Sequence, residues 1–139
     1  MPSDPAPEAL HRTLPSSFEH LERFVEETQT FMERITDDED LAYRVVLLVS
    51  EAVTNAMEHG NQFDASKTVT VALRALPDRI VLDVKDEGEG FAAAEVSDPL
   101  AKDHLLDDRG RGLFLMQEFA DEVAIEDGGR RLRLVLHRP

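Results

Sequence analysis

The spacing of apolar residues changes along this chain, and that change restricts the folds open to it. Before Gly60 they recur three and four apart. Leu21, Phe24, Val25, Thr28, Phe31, Met32 and Ile35 mark one amphipathic helix, because a helical period brings such positions onto one face. Ser16 followed by Glu19 reads as its capping box. "TDDED" ends that helix and supplies acids to the start of the next, where the helix dipole favours them. The second helix is expected from about Asp38 to His59, with Gly60 as its stop. Leu41, Val45, Leu48, Val49, Ala52 and Ala56 share one arc of it, while Glu51, Asn55, Glu58 and His59 fall on the adjacent arc.

After "GNQFDAS" the period drops to two. "KTVTVALRA" sets Val69, Val71 and Leu73 against Thr68, Thr70 and Arg74, and "IVLDVKD" sets Ile80, Leu82 and Val84 against Asp83 and Lys85. Joined by "LPDR", these read as an antiparallel hairpin. A long acid-rich loop follows, with room for a short helix; then come a helix at "LFLMQEFADE", a strand at "VAIED" and a last strand at "RRLRLVLHR", its Leu132, Leu134 and Leu136 inward. "LHRTLPSS" reads as a short edge strand near the start. Helices and strands in separate runs predict a two-layer α+β domain with one sheet face covered. Residues 1–9 are expected to be a flexible tail and residues 10–139 a single domain.

Composition limits the partners. A 139-residue chain that is 42% hydrophobic can bury a core. Its net charge of −14 argues against a direct nucleic-acid binder. Three lysines stand beside twelve arginines, and an acid-rich, lysine-poor surface also fits adaptation to a salty cytosol. No cysteine is present, which excludes disulfides and thiolate metal sites. "MPSDPAPEAL" carries acids and prolines where a signal peptide needs basic and then apolar residues, and no apolar run is long enough to span a bilayer. A soluble, cytoplasmic protein with no membrane association is expected.

Three stretches could carry chemistry. Glu51 and Asn55, four apart, point the same way. A carboxylate beside an amide oxygen suits a hard cation, although the pair also fits a solvated flank around the stop at Gly60. "DEGEGF" places Asp86, Gly88 and Gly90 at a strand end. There glycines admit a flat ligand and a carboxylate accepts from an amino group, but acid–glycine pairs also mark ordinary turns. "RGRGLFLM" places Gly110 and Gly112 before a helix, where N–H groups reached through glycine bind phosphate. Arg109 and Arg111 add positive charge, and a plain loop-to-helix junction has the same look. No P-loop, G-x-G-x-x-G, H-E-x-x-H or G-x-S-x-G motif occurs.

The order of the three is more specific than any one of them. E-x-x-x-N-A-x-x-H-G on a helix, a hairpin, D-x-G-x-G, a long loop and G-x-G-L opening a helix resemble the GHKL, or Bergerat-fold, ATP-binding superfamily of gyrases, histidine kinases and MutL repair proteins. Within it the chain is similar to the anti-sigma factor serine/threonine-protein kinases of bacterial partner-switching pathways, from about Leu14 to Leu136. The resemblance implies a two-layer α/β sandwich with a mixed, mostly antiparallel sheet and helices on one face. It implies that Asn55 binds the Mg2+ of ATP, that Glu51 is the general base toward a substrate serine, and that Asp86 takes the adenine amino group while Gly88 and Gly90 let the backbone close on the nucleotide. Arg109, Gly110, Arg111, Gly112 and Leu113 would contact the phosphates, with about Ala92 to Asp108 as the ATP lid. That stretch is unusually acidic (Asp98, Asp103, Asp107, Asp108), and Arg109 and Arg111 are the charges that offset it.

By the same resemblance the chain is an ATP-dependent protein serine/threonine kinase and anti-sigma factor. It would phosphorylate a small anti-anti-sigma (STAS) protein and sequester a sigma factor, as a homodimer. One step departs from the family: its last strand often opens with G-T or G-[ST]-x-[VF], whereas here Gly129 is followed by Arg130, which offers no hydroxyl. An ATP-binding regulatory module without kinase activity, signalling by partner binding, is therefore the alternative. A detached sensor-kinase catalytic domain stands third.

Overall fold

The computed structural model describes residues 8–88 and 108–139. Strand β1 (Glu8–Pro15) leads into helices α1 (Phe18–Ile35) and α2 (Glu39–Asn55), and α2 runs on into a π-helical turn at Ala56–Gly60. Strands β2 (Thr68–Ala75) and β3 (Arg79–Lys85) form the hairpin. Helix α3 (Asp108–Phe119), strand β4 (Glu122–Glu126), a 3-10 turn at Asp127–Gly129 and strand β5 (Arg131–His137) complete the described chain. β1 starts at Glu8, two residues inside the stretch expected to be a tail. The expectations for residues 1–7, for Gly90 and for most of the lid lie outside the described residues.

The strands pair in the order β1-β2-β3-β5-β4. Among the described residues every pairing is antiparallel, in keeping with the mostly antiparallel sheet expected. Period-2 alternation sends Val69, Val71, Leu73, Ile80, Leu82, Val84, Leu132, Leu134 and Leu136 to the face that the helices cover, and all are buried. They meet Phe24, Phe31 and Met32 of α1 and Leu41, Val45, Leu48, Val49 and Ala52 of α2 in one core, which Met116 of α3 joins. This is the two-layer α+β arrangement. The opposite face is charged: Asp83 accepts from Arg131 Nε at 3.2 Å and from Arg133 Nε at 3.2 Å. That pairing raises the Arg133 pKa above its ordinary value.

Local chemistry sets the helix ends. α1 is capped by Ser17, whose side chain accepts from His20 N, rather than by Ser16 as the capping-box spacing suggested. Ser16 is buried instead, and its hydroxyl donates to the Lys67 carbonyl at 3.0 Å. Asp38 caps α2 by accepting from Leu41 N at 3.1 Å, as the acidic run implied. No helix of the described residues is long and apolar enough to cross a membrane.

Candidate functional site

The candidate site forms where the end of α2 meets the end of β3. Glu51 and Asn55 lie one turn apart on the last stretch of α2, each half-buried. Past Asn55 the helix widens: Asn61 N donates to the Ala56 carbonyl at 2.8 Å, a bond spanning five residues, and Phe63 N reaches the Met57 carbonyl at 2.8 Å. π-turns of this kind recur at functional sites because they re-aim the residues that follow. Gln62 and Phe63 then take φ of 53°, a left-handed conformation uncommon for non-glycine residues.

Two glycines let the two ends touch. A Cβ on Gly60 would collide with the Asp86 carboxylate, and one on Gly88 would collide with the Gly60 carbonyl. Asp86 is therefore held against the helix end, only 7% exposed. Its Oδ1 accepts from Gly88 N at 2.8 Å, and its own N–H donates to the Arg130 carbonyl at 2.9 Å. Asn55, Asp86 and Arg130 line one small cavity with Ala52 and Val84, about 10 Å³ in volume, room for roughly one water.

Asn55 Oδ1 is buried and has no hydrogen-bond partner among the described residues. A buried amide oxygen left without a donor is costly unless something else satisfies it. That fits the Mg2+ role expected of it, since Mg2+ takes one or two protein oxygens and fills the rest with phosphate and water.

The structure thus brings Asn55, Asp86 and Gly88 together. Glu51 stands one turn further from the helix end and does not line the cavity. Arg109, Gly110, Arg111, Gly112 and Leu113 all lie inside α3, which begins at Asp108 rather than at Leu113 as the motif suggested. Both glycines are therefore helical residues near its start. α3 packs directly on α2, so the helix carrying "RGRGL" adjoins the one carrying Glu51 and Asn55.

Two residues at the site escaped the sequence reading. Asn61 is fully buried: Nδ2 donates to Ser16 Oγ at 2.9 Å and to the Thr68 carbonyl at 2.9 Å, while Oδ1 accepts from Glu87 N at 2.8 Å. Its only sequence signal was a polar residue directly after the helix stop. In the sequence Arg130 stands out for the hydroxyl it lacks, not for the contact it makes: its Nε donates to the Gly88 carbonyl at 2.8 Å.

Residues 14–136 match the histidine kinase-like ATPase domain. The chain is similar to the serine-protein kinase RsbW of Bacillus licheniformis, 33% identical over 96 residues that cover 65% of this chain and 58% of the relative. It is similar to RsbW of Bacillus subtilis at 32% over 87 residues, covering 58% and 54%. It is also similar to the anti-sigma F factor of Clostridium perfringens at 32% over 104 residues, covering 73% and 69%. The chain spans little more than half the length of the two RsbW kinases it matches. With the two-layer fold and the junction of α2 and β3 in place, the match over 14–136 makes this chain a member of the histidine kinase-like ATPase domain family.

Proposed function

We propose that the chain is an ATP-dependent protein-serine kinase and anti-sigma factor, phosphorylating a small STAS-type antagonist and sequestering a sigma factor as a homodimer. The observation that carries the nucleotide reading is the unpartnered Asn55 Oδ1 beside the buried Asp86. The relatives named serine-protein kinase and anti-sigma factor support the kinase and anti-sigma parts of the reading.

Asp86 accepts from the amino group of adenine, its carboxylate aimed by the Gly88 N–H. Asn55 presents its amide oxygen to a Mg2+ ion. Neutralising phosphate charge is what that ion supplies when bound, and phosphoryl transfer depends on this and on alignment more than on covalent help. The free N–H groups at the start of α3, up to that of Gly110, face phosphate, with Arg109 and Arg111 adding positive charge and Gly112 and Leu113 following in the next turn. Glu51 takes the proton of the incoming serine hydroxyl as that oxygen attacks the γ-phosphorus and the bond to the β-phosphate oxygen breaks. The absence of a hydroxyl at Arg130 favours a second reading, in which the chain binds ATP and signals by partner binding alone.

Incubation with γ-labelled ATP, Mg2+ and the antagonist separates the two. The kinase reading expects label on a serine, loss of at least about 100-fold in rate for Glu51→Ala with ATP still bound, and weakened Mg·ATP binding for Asn55→Ala. ATP binding without label leaves the binding module. Asn55→Ala that binds Mg·ATP as wild type does would remove the metal assignment.

A further inference from the structure

The turn that carries Asp86 is pinned from two sides. Toward α2, Asn61 Oδ1 accepts from Glu87 N at 2.8 Å. Toward β5, Arg130 closes two bonds at once: its carbonyl accepts from Asp86 N at 2.9 Å, and its Nε donates to the Gly88 carbonyl at 2.8 Å. The guanidinium is itself steadied by Asp127, whose carbonyl accepts from Nη1 at 3.3 Å and whose carboxylate lies 3.8 Å away. The second bond matters for the chemistry. Asp86 Oδ1 is aimed by the N–H of Gly88, and a glycine peptide rotates readily unless something restrains it. The donor on the Gly88 carbonyl anchors the peptide on the far side of Gly88, which limits the φ and ψ freedom of the residue whose N–H aims Asp86.

We infer that Arg130 is a positioning residue for base selection, fixing through Gly88 the direction in which Asp86 presents its carboxylate. This rests on the reading of the site as an ATP pocket with Asp86 on the adenine amino group. A base with a carbonyl at that position, as in guanine, sets an acceptor against the carboxylate, which repels it as long as the carboxylate cannot swing to the neighbouring ring N–H. Freed from Arg130, the turn relaxes and the discrimination falls. Because the Arg130 side chain is 40% exposed, its replacement leaves the core untouched.

The test is titration of the 139-residue chain with Mg·ATP and Mg·GTP, for wild type, Asp86→Asn, Arg130→Met and Arg130→Lys, with thermal midpoints alongside. Wild type is expected to prefer ATP, and Asp86→Asn to lose that preference. Arg130→Met is expected to cut the ATP-over-GTP ratio by about tenfold, the scale of one hydrogen bond, at a near-unchanged midpoint. Arg130→Lys, which keeps a donor in reach of the Gly88 carbonyl, should recover most of the ratio. A wild type that binds neither nucleotide overturns the ATP reading and this inference together. A wild type that prefers ATP, with the ratio unaltered in Arg130→Met, overturns this inference alone. So does an Arg130→Met that tightens both nucleotides equally, because Arg130 would then be blocking the cavity, and so does an Arg130→Lys that recovers nothing.

Discussion

Any side chain at Gly88 would collide with the Gly60 carbonyl, because the ends of β3 and α2 approach backbone to backbone there. Gly88→Ala should therefore cost about 1–3 kcal/mol, as overpacking does, and abolish nucleotide binding; urea titration and an ATP titration read the two effects. Glu87, next in the same turn, accepts from Thr68 Oγ1 and Thr68 N, and both bonds lower its pKa below the ordinary 4.5. A depressed carboxylate pKa stabilises the fold above the unfolded value, and the benefit is lost as pH falls through the folded one. Thermal midpoints taken from about pH 4.5 downward should fall more steeply for wild type than for Glu87→Gln; equal slopes would refute the link. At this scale the sequence exposed groups whose chemistry is their own, such as Asn55 and Asp86. It hid groups whose meaning lies in distant neighbours: nothing local says that Asn61 will reach Ser16 across 45 residues, or Arg130 reach Gly88 across 42.

The elements were legible wherever the apolar period was long and unbroken. The β2–β3 hairpin, the inward leucines of β5 and the buried face of α1 all follow from it. Boundaries were less so, because they depend on which of several candidate groups wins a competition. Ser16 and Ser17 are both plausible caps; burial against Lys67 and Asn61 took Ser16, leaving Ser17 for the helix. The sequence pattern puts the start of α3 late because glycines usually mark a loop, whereas Gly110 and Gly112 are helical here. Where the cap was unambiguous its worth can be stated: Asp38→Ala should destabilise the chain by about 1 kcal/mol. Asp38→Asn, which keeps an acceptor for Leu41 N, should cost much less. Equal losses in chemical denaturation would show that charge at the helix start, not the cap bond, is what counts.

For the whole molecule, the two-layer fold followed from the order of the periods, and the family match over 14–136 agrees with it. The net charge of −14 is a property of the ensemble rather than of any site. Self-repulsion of that size opposes compactness and is screened by ions, while the exposed ion pairs, such as Arg23 with Glu19, contribute little that salt could remove. The thermal midpoint should therefore rise between about 0.02 and 0.5 M sodium chloride, with Debye lengths shrinking from tens of Å to a few. A falling midpoint would mean that the pairs outweigh the repulsion. The sheet order described above also governs how the molecule assembles in time. β2 with β3, and β4 with β5, are hairpins closed by short turns, while β1 pairs with β2 from Glu8 to Pro15 across the whole of α1 and α2. Closing such non-local pairings is slow. The two hairpins should thus be the early events in refolding, and β1 should dock late, over a helix layer that is already in place.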